Sequence, residues 1–287
     1  MTTPAAASPA TYPAEWKAAA NERLDWARQI TLEAGEITQT YFRSPTLRIE
    51  WKEDRTPVTL ADQAAEQHLR KRIEERFPDD GILGEEYPEK PGTSGYKWIL
   101  DPIDGTKPFM HGVPLYTNLV AVLEEASGEP ILGVINAPAS GETIHAAIGG
   151  GAWYQNGGGQ NGGGELSRAH VSELKDLGEG LFLTGDVGGF QDRAEDATET
   201  YFALQQTARI SRTWGDGYGY MMVAVGRAEL MVDAKMSVWD AACLKPILEE
   251  AGGTFTSWSG DPTVHAGEGI ATNGHVLKQV LAITAGK

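Results

Sequence analysis

The sequence contains a single cysteine and few basic side chains for its length. Cys243 stands alone among 287 residues, so the chain cannot form an internal disulfide, which fits a reducing compartment. Lysine and arginine total 24 against 40 aspartates and glutamates, which gives a formal net charge of −16 at pH 7. Because nucleic-acid binding needs clustered basic residues, this composition argues against a nucleic acid as a partner. An acidic chain also repels an anionic substrate unless cations intervene.

Long apolar runs are missing as well. No apolar segment approaches the roughly 18 residues that a membrane span needs. The start of the sequence lacks the basic and apolar regions of a signal peptide. We therefore predict a cytoplasmic protein that does not bind membranes. Residues 1–13, rich in Ala, Pro and Thr, are predicted to be a disordered tail, and residues 14–287 to form one domain.

The order of the predicted elements indicates the fold class. Apolar residues recur at helical spacing over 14–42, 60–76, 194–207, 238–251 and 275–285, and another helix starts within 221–225. Short apolar or alternating stretches predict strands at 47–52, 81–84, 96–100, 119–123, 131–135, 143–147, 152–155, 180–184, 228–233, 254–257 and 269–272. Residues 211–219 are predicted to be a loop. Strands and helices interspersed in this way indicate a layered α/β fold.

Glycine is concentrated in one internal segment. Residues 156–164 are mostly glycine and cannot hold a packed strand, so they are predicted to form a mobile loop at a hairpin tip. This loop separates an N-terminal α+β half, about 14–155, from a C-terminal α/β half, about 165–287.

Two carboxylates end the apolar run that precedes a predicted turn. Asp101 and Asp104 follow strand-like residues, and Pro102 and Gly105 shape the chain around them. Two acids three residues apart on such a turn can face one point, which suits a hard divalent cation. The alternative is an ordinary solvated turn, because Asp, Pro and Gly are all common turn residues.

Two further acidic features favour the metal site. The pair Glu85 and Glu86 follows an apolar strand, and Asp240 begins a predicted helix. Carboxylates brought together repel each other, so their convergence needs a compensating cation. Mg²⁺ binds through few carboxylates and takes substrate phosphate as a further ligand, and two such ions can activate a water together.

The three acidic motifs together resemble the inositol monophosphatase superfamily of Mg²⁺-dependent phosphomonoesterases. The resemblance rests on Glu85-Glu86, then Asp101-Pro102-Ile103-Asp104-Gly105-Thr106, then Trp239-Asp240-Ala241-Ala242, in that order, and runs from about Trp16 to Ala285. It implies an αβαβα sandwich, two or three Mg²⁺ ions, a small phosphate monoester as substrate and a homodimer.

The resemblance also implies a role for each motif residue. The implied metal ligands are Glu85, Asp101, the Ile103 carbonyl, Asp104 and Asp240, with Glu86 supporting the site without being a primary ligand. Asp62 and Thr106 would activate the attacking water, with Glu85 in the catalytic set. Ile103, Asp104, Gly105, Thr106 and Asp240 would also contact substrate, Gly105 and Thr106 through backbone N–H groups. For Asp62 an alternative stays open, because an acid in the first turn of a helix also suits the helix dipole.

Residues 212–220, 226–229 and 232–233, together with Lys107 in residues 104–109, resemble the histidinol-phosphatases of this superfamily. That pattern usually carries Cys at Gly217 and Ser at Pro108, so the chain departs from it at two positions. The resemblance implies that Arg212 reaches the substrate and that Asp216 lines its pocket. We therefore predict hydrolysis of histidinol phosphate, with an inositol-1-phosphate or sugar-phosphate phosphatase as the alternative. A catalytically silent protein of the same fold would lack ligands, and none is missing.

Overall fold

The computed structural model describes residues 12–45, 49–51, 57–157, 164–193 and 197–284. Its helices are α1 (Ala14–Tyr41), α2 (Leu60–Arg76), α3 (Thr106–Met110), α4 (Gly188–Asp192), α5 (Thr198–Thr207), α6 (Gly217–Ala224), α7 (Val238–Ala241), α8 (Leu244–Glu250) and α9 (Leu277–Thr284). Its strands are β1 (Ile49–Trp51), β2 (Pro57–Thr59), β3 (Gly81–Gly84), β4 (Tyr96–Asp104), β5 (Thr117–Glu124), β6 (Glu129–Ala137), β7 (Glu142–Ala147), β8 (Gly151–Gln155), β9 (Leu166–Arg168), β10 (Leu181–Leu183), β11 (Ile210–Arg212), β12 (Leu230–Asp233), β13 (Thr254–Thr256) and β14 (Gly269–Thr272).

Two mixed sheets carry most of these strands. The larger has seven strands in the order β3-β4-β5-β6-β7-β8-β9, and the smaller has five in the order β11-β10-β12-β14-β13. Among the described strands of the larger sheet, β3 and β4 run parallel and the other neighbours are antiparallel. Strands β1 and β2 form a separate antiparallel pair.

Helices cover both faces of the larger sheet, because apolar side chains alternate between its two sides along each strand. Leu100, Val120 and Val134 pack with apolar residues of α1 and α2. Their neighbours Ile99 and Ile135 point to the opposite face and pack with α6, α7 and α8. Because successive strand residues face opposite sides, one sheet forms two separate cores.

The smaller sheet is covered in the same way. Leu183 and Met231 join the core shared with α6 and α8, whereas Phe182, Leu230 and Val232 pack with residues of α4, α5 and α9. The layers therefore follow the order helix, sheet, helix, sheet, helix. This confirms the predicted αβαβα sandwich.

Most predicted elements occur, and several boundaries differ. Strand β4 continues to Asp104 instead of ending at residue 100, because Asp101 to Asp104 still lie against β5. The helix predicted over 238–251 is divided into α7 and α8. The predicted loop 211–219 is wrong at both ends, since β11 extends to Arg212 and α6 begins at Gly217. The helix predicted from residue 194 starts at Thr198, and residues 194–196 lie outside the described ranges.

Other predictions also fall partly outside the described residues. In the predicted tail, residues 1–11 are not described, whereas the Tyr12 hydroxyl donates to Glu249 at 3.1 Å. The glycine-rich segment joins β8 to β9, which pair antiparallel, and residues 158–163 within it are not described. Strand β1 occupies the middle of the strand predicted over 47–52. Within the described ranges, no helix is long and apolar enough to cross a membrane.

Candidate active site

The two aspartates of the central turn lie at the end of β4. Asp101 pairs with Leu119 of β5 and Asp104 pairs with Thr117, so three residue steps on β4 match two on β5. Such a bulge bends the strand and redirects side chains. Asp101 Oδ1 accepts a hydrogen bond from Ile103 N at 3.0 Å, which holds the turn from within.

Asp104 is fixed by two donors from different elements. The Thr117 hydroxyl donates to Asp104 Oδ2 at 2.9 Å, and the backbone N–H of Gly217 donates to the same oxygen. Gly217 is the first residue of α6. Strand β5 and helix α6 thus hold one carboxylate oxygen between them.

Asp240 reaches the same place from the start of α7. It belongs to a capping box, in which the Ser237 backbone N–H donates to Asp240 Oδ2 at 2.7 Å. Oxygens of Asp101, Asp104 and Asp240 all lie within 4.8 Å of one another. The structure therefore brings together three of the acids that the sequence assigned to a metal.

Burial and mutual repulsion shape the charge of this cluster. Burial, with a smaller contribution from nearby carboxylates, raises the pKa of Asp104 to about 8 and that of Asp240 to about 7. Burial also raises the pKa of Asp101 well above its ordinary value, with added repulsion from Glu85 and Asp104. Several ionised carboxylates cannot share a buried site without a positive charge. An all-oxygen donor set of this kind fits a hard divalent cation.

Glu85 adjoins the cluster through the parallel pairing of β3 and β4. Gly84 pairs with Leu100, and Glu85 N donates to the Leu100 carbonyl at 3.2 Å. The ends of parallel strands meet at one edge of a sheet, so Glu85 and Asp101 emerge side by side. The charge of Glu85 accordingly raises the pKa of Asp101 and of Asp240.

Asp62 divides its two carboxylate oxygens between two partners. Oδ2 accepts hydrogen bonds from the Thr59 backbone N–H at 2.8 Å and the Thr59 hydroxyl at 2.6 Å. Oδ1 lies 3.4 Å from the Thr106 hydroxyl, which also lies 3.1 Å from the Ile103 carbonyl. Asp62 therefore caps α2 and also faces Thr106, while its role towards an attacking water stays a prediction. Burial raises its pKa to about 6.

A pocket opens beside the cluster. It is lined by Asp104, Asp186, Asp216, Gly217, Tyr220, Asp233, Lys235, Met236 and Asp240. Asp216 has its pKa raised well above the ordinary value, by burial and then by the charges of Asp104 and Asp233. The pocket wall is therefore strongly acidic, with one lysine among its lining residues.

Gly105 has no side chain, which lets Asp216 lie close to the central turn. Gly105 has a φ of 85° in the left-handed region, and a Cβ there would lie 2.9 Å from Asp216 Oδ2. A residue with a side chain would strain the turn and collide with Asp216.

Arg212, which the resemblance also assigned to the substrate, does not line the pocket. Its side chain is exposed, and Nη1 donates a hydrogen bond to the Ser211 carbonyl at 2.7 Å.

The sequence resemblance included Asp233 without giving it a place in the site, and the fold brings it into the pocket. It ends β12, and its carboxylate accepts from the Thr184 hydroxyl at 3.1 Å, Gly185 N at 2.9 Å and the Tyr220 hydroxyl at 2.9 Å. An acid at the end of a predicted strand was the available signal. Thr117 was missed, and a lone threonine in an apolar strand gives little indication of a role.

Comparison with known proteins agrees with this geometry. The model of the inositol monophosphatase family matches residues 20–286. A histidinol-phosphatase of Chlorobaculum parvum is 39% identical over 263 residues, covering 92% of this chain and 96% of that protein. A histidinol-phosphatase of Mycobacterium tuberculosis is 37% identical over 248 residues, covering 86% of this chain and 92% of that protein.

Solved structures share the layered fold. An inositol monophosphatase from Zymomonas mobilis has a TM-score of 0.78 and 30% identity, covering 93% of this chain and 99% of that chain. An inositol monophosphatase from Thermotoga maritima has a TM-score of 0.78 and 29% identity, covering 92% of this chain and 97% of that chain. Members of the family depend on metal ions, and this chain has the clustered aspartates that such ions need. The chain belongs to the inositol monophosphatase family and is a metal-dependent phosphomonoesterase.

Proposed function

We propose that this protein hydrolyses histidinol phosphate to histidinol and phosphate, with Mg²⁺ as its metal. The observation that carries the proposal is the charge of the pocket beside the aspartate cluster. Besides Asp104 and Asp240, the wall contains Asp186, Asp216 and Asp233, against a single basic residue, Lys235. Two or three divalent ions would compensate the cluster. Asp186 pairs with Lys107 at 3.3 Å, and Asp233 accepts hydrogen bonds from Thr184, Gly185 and Tyr220. Asp216 is therefore the carboxylate that we propose faces a cationic group of the substrate.

Histidinol phosphate fits this surplus of negative charge. Its amine is cationic at neutral pH, and its imidazole titrates near that pH. Inositol phosphate carries no charge apart from its phosphate and needs neutral hydrogen-bonding partners instead. The relatives named as histidinol-phosphatases support the same substrate. The structure places Arg212 outside the pocket lining, so its proposed contact with substrate draws on the resemblance alone.

We propose that the metal ligands are Glu85, Asp101, the Ile103 carbonyl, Asp104 and Asp240. Bound divalent ions would neutralise the phosphate oxygens, orient the attacking water and lower its pKa. Gly105 and Thr106, at the turn between β4 and α3, would present backbone N–H groups to the phosphate. Asp101 and Asp104 are held by backbone and threonine donors, which keeps their oxygens in place without the substrate.

Thr106 and Asp62 would move the proton of the attacking water. The Thr106 hydroxyl can accept that proton while it donates its own to Asp62 Oδ1, 3.4 Å away. Asp62 is suited to this role because its other oxygen is held by Thr59 and because burial raises its pKa to about 6. A base whose pKa lies near the working pH transfers protons most effectively.

The proposal is tested by phosphate release from purified protein with Mg²⁺. Histidinol phosphate, inositol 1-phosphate and fructose 1,6-bisphosphate are compared at matched concentrations through kcat/KM. We expect a preference of about a hundredfold or more for histidinol phosphate, equivalent to about 3 kcal/mol of transition-state binding. Equal rates on all three would contradict the substrate and leave the metal-dependent phosphatase in place.

The second candidate is an inositol-1-phosphate or sugar-phosphate phosphatase. The Zymomonas mobilis and Thermotoga maritima structures, which are named as inositol monophosphatases, support it. The same assay separates the two candidates, since this alternative predicts faster turnover of the neutral-headed ester. A homodimer in the cytoplasm stays a prediction, and light scattering of the purified protein checks the dimer.

A further inference from the structure

Glu66 is a fully buried carboxylate with no role in the reaction described above. It lies in α2 one turn after Asp62, and its side chain has 0% of its surface exposed. Asp62, Glu66 and Arg70 follow one another at four-residue intervals, so they share one face of the helix. A charge buried to this extent needs partners that stabilise it.

The partners of Glu66 are in the turn that follows β3. Glu86 N donates to Glu66 Oε2 at 2.8 Å, and Tyr87 N donates to Oε1 at 3.3 Å. Arg70 Nε donates to Oε1 at 2.7 Å, and Arg70 Nη2 donates to the Tyr87 carbonyl at 2.9 Å. Glu66 and Arg70, on successive turns of α2, thus bind the backbone N–H groups of Glu86 and Tyr87 and the Tyr87 carbonyl.

Gly84 shows how closely this segment approaches the helix. A Cβ at Gly84 would lie 2.2 Å from Glu66 Oε1 and 2.4 Å from the carboxyl carbon. Glu66 therefore contacts the chain immediately before and immediately after Glu85. The intervening residue, Glu85, has its backbone fixed on both sides.

We propose that Glu66, supported by Arg70, is a positioning residue that fixes Glu85 beside Asp101 and thereby sets the affinity of the site for divalent cations. This inference rests on the proposed role of Glu85 as a metal ligand. The physical reason is that removal of the Glu66 charge leaves the N–H groups of Glu86 and Tyr87 poorly satisfied, so the turn relaxes. Partners that orient metal ligands typically change metal affinity by 10- to 100-fold.

Helix α2 carries both Asp62 and Glu66. Because Asp62 and Glu66 lie on the same face of α2, one rigid helix positions both the proposed proton acceptor and the Glu85 turn. A shift of α2 would therefore move both parts together, whereas loss of Glu66 alone affects only the Glu85 turn.

The experiment measures Mn²⁺ binding to the full-length protein without substrate, by titration calorimetry and by the Mn²⁺-dependent rise in Tm. Glu66→Gln keeps the side-chain shape and removes the charge. Gly84→Ala displaces the same carboxylate from the opposite side. We expect both variants to bind Mn²⁺ about 10- to 100-fold more weakly. Their kcat should be regained when the metal is raised to saturation, because the affinity is altered and the chemistry is not.

Two control variants separate positioning from general stability. Asp80→Asn breaks the buried pair between Arg23 and Asp80, whose Nε and Oδ2 atoms lie 2.8 Å apart. It should lower Tm without weakening Mn²⁺ binding. Glu75→Gln makes the same chemical change on α2, at a half-exposed pair with Arg72, and should leave both quantities unchanged.

The Mn²⁺ affinity of Glu85→Gln shows whether a negative result concerns the positioning role of Glu66 or the proposed metal site itself. Wild-type affinity in Glu66→Gln and Gly84→Ala, with weakened binding in Glu85→Gln, would overturn the positioning role and keep the metal site. Wild-type affinity in Glu85→Gln would overturn the ligand role and the inference with it. Weakened binding that also appears in Asp80→Asn would assign the effect to stability and overturn the inference. Arg70→Met provides the same test where Glu66→Gln does not fold.

Discussion

The Asp62 carboxylate lies 3.4 Å from the Thr106 hydroxyl and bridges the first turns of α2 and α3. Its other oxygen accepts two hydrogen bonds from Thr59, so one side chain serves as a helix cap and as a partner of the central turn. The cap fixes the orientation of the carboxylate, because a rotation that improved one contact would break the other. The structural role of Asp62 and its proposed chemical role thus depend on the same geometry.

Asp62→Asn should lower kcat by about 100- to 10,000-fold, the range typical for loss of a positioned proton acceptor. Asparagine keeps the shape of the side chain and cannot take a proton, so Mn²⁺ affinity and folding should remain. Steady-state kinetics and calorimetry check both parts. Thr59→Ala is the control, because it keeps the carboxylate and the Thr59 N–H bond to it and removes only the hydroxyl. It should cost about 1 kcal/mol of capping energy with a much smaller effect on kcat. Wild-type kcat in Asp62→Asn would contradict the proton role.

Asp101→Asn should abolish most activity while the protein stays folded. The side chain is buried among Glu85, Asp104 and Asp240, whose charges repel its own. Removal of one charge relieves that repulsion, so Tm without metal should rise. The stabilisation by Mg²⁺ should disappear, since a ligand is lost. Thermal unfolding with EDTA and with Mg²⁺ measures both effects, and retained turnover at saturating Mg²⁺ would contradict the assignment.

The metal-free protein should lose stability as the pH rises from about 4 to about 8. Burial raises the folded-state pKa of Asp104 from its ordinary 3.8 to about 8, and that of Asp240 to about 7. Between the unfolded and folded pKa values the folded state keeps protons that the unfolded state has released. The free energy of unfolding therefore falls as the pH rises through that window.

Urea unfolding in EDTA at several pH values across this window checks the direction of the change. Mg²⁺ binds the ionised carboxylates, so its affinity should increase with pH and offset the loss. The same titration of Asp101→Asn should show a smaller slope, because one repelling charge is gone. A metal-free protein that became more stable with rising pH would contradict the raised pKa values of Asp104 and Asp240.

Asp216→Asn should raise KM for histidinol phosphate more than KM for inositol 1-phosphate. The reason is that the carboxylate lines the pocket and would face a cationic group only in the first substrate. Asp261→Asn, an exposed carboxylate outside the pocket lining, is the matched control and should change neither KM. Equal increases for both esters would argue against cation recognition at Asp216.

Gly105→Ala should reduce both stability and kcat/KM. The left-handed φ of 85° costs about 1–2 kcal/mol for alanine. The added Cβ would also press on Asp216 Oδ2, 2.9 Å away. Gly95→Ala isolates the first effect, because Gly95 has the same φ with no atom within 4 Å of a Cβ. Equal loss of Tm in both variants, with unchanged kinetics in Gly105→Ala, would show that the contact with Asp216 has no consequence.

The fold class and the three acidic motifs were predictable because they depend on local sequence. Helix α2 occupies the predicted residues 60–76, since Thr59 caps its start and Pro78 follows its end. Asp101 and Asp104 could be recognised because an apolar strand ends abruptly in a turn. Periodicity and turn chemistry act over a few residues, and a reader of the sequence sees all of them.

Only the tertiary structure decided which distant groups meet these motifs. Gly217 donates to Asp104 across 113 positions of the chain, and β11 includes Arg212 where a loop was predicted. Asp233 enters the pocket because β12 ends there, and Glu66 holds the turn of Glu85 because α2 packs beside β4. The sequence by itself determined the chemistry of the carboxylates and the layers that carry them. Their partners, burial and pKa values depend on packing between distant segments, which no local pattern specifies.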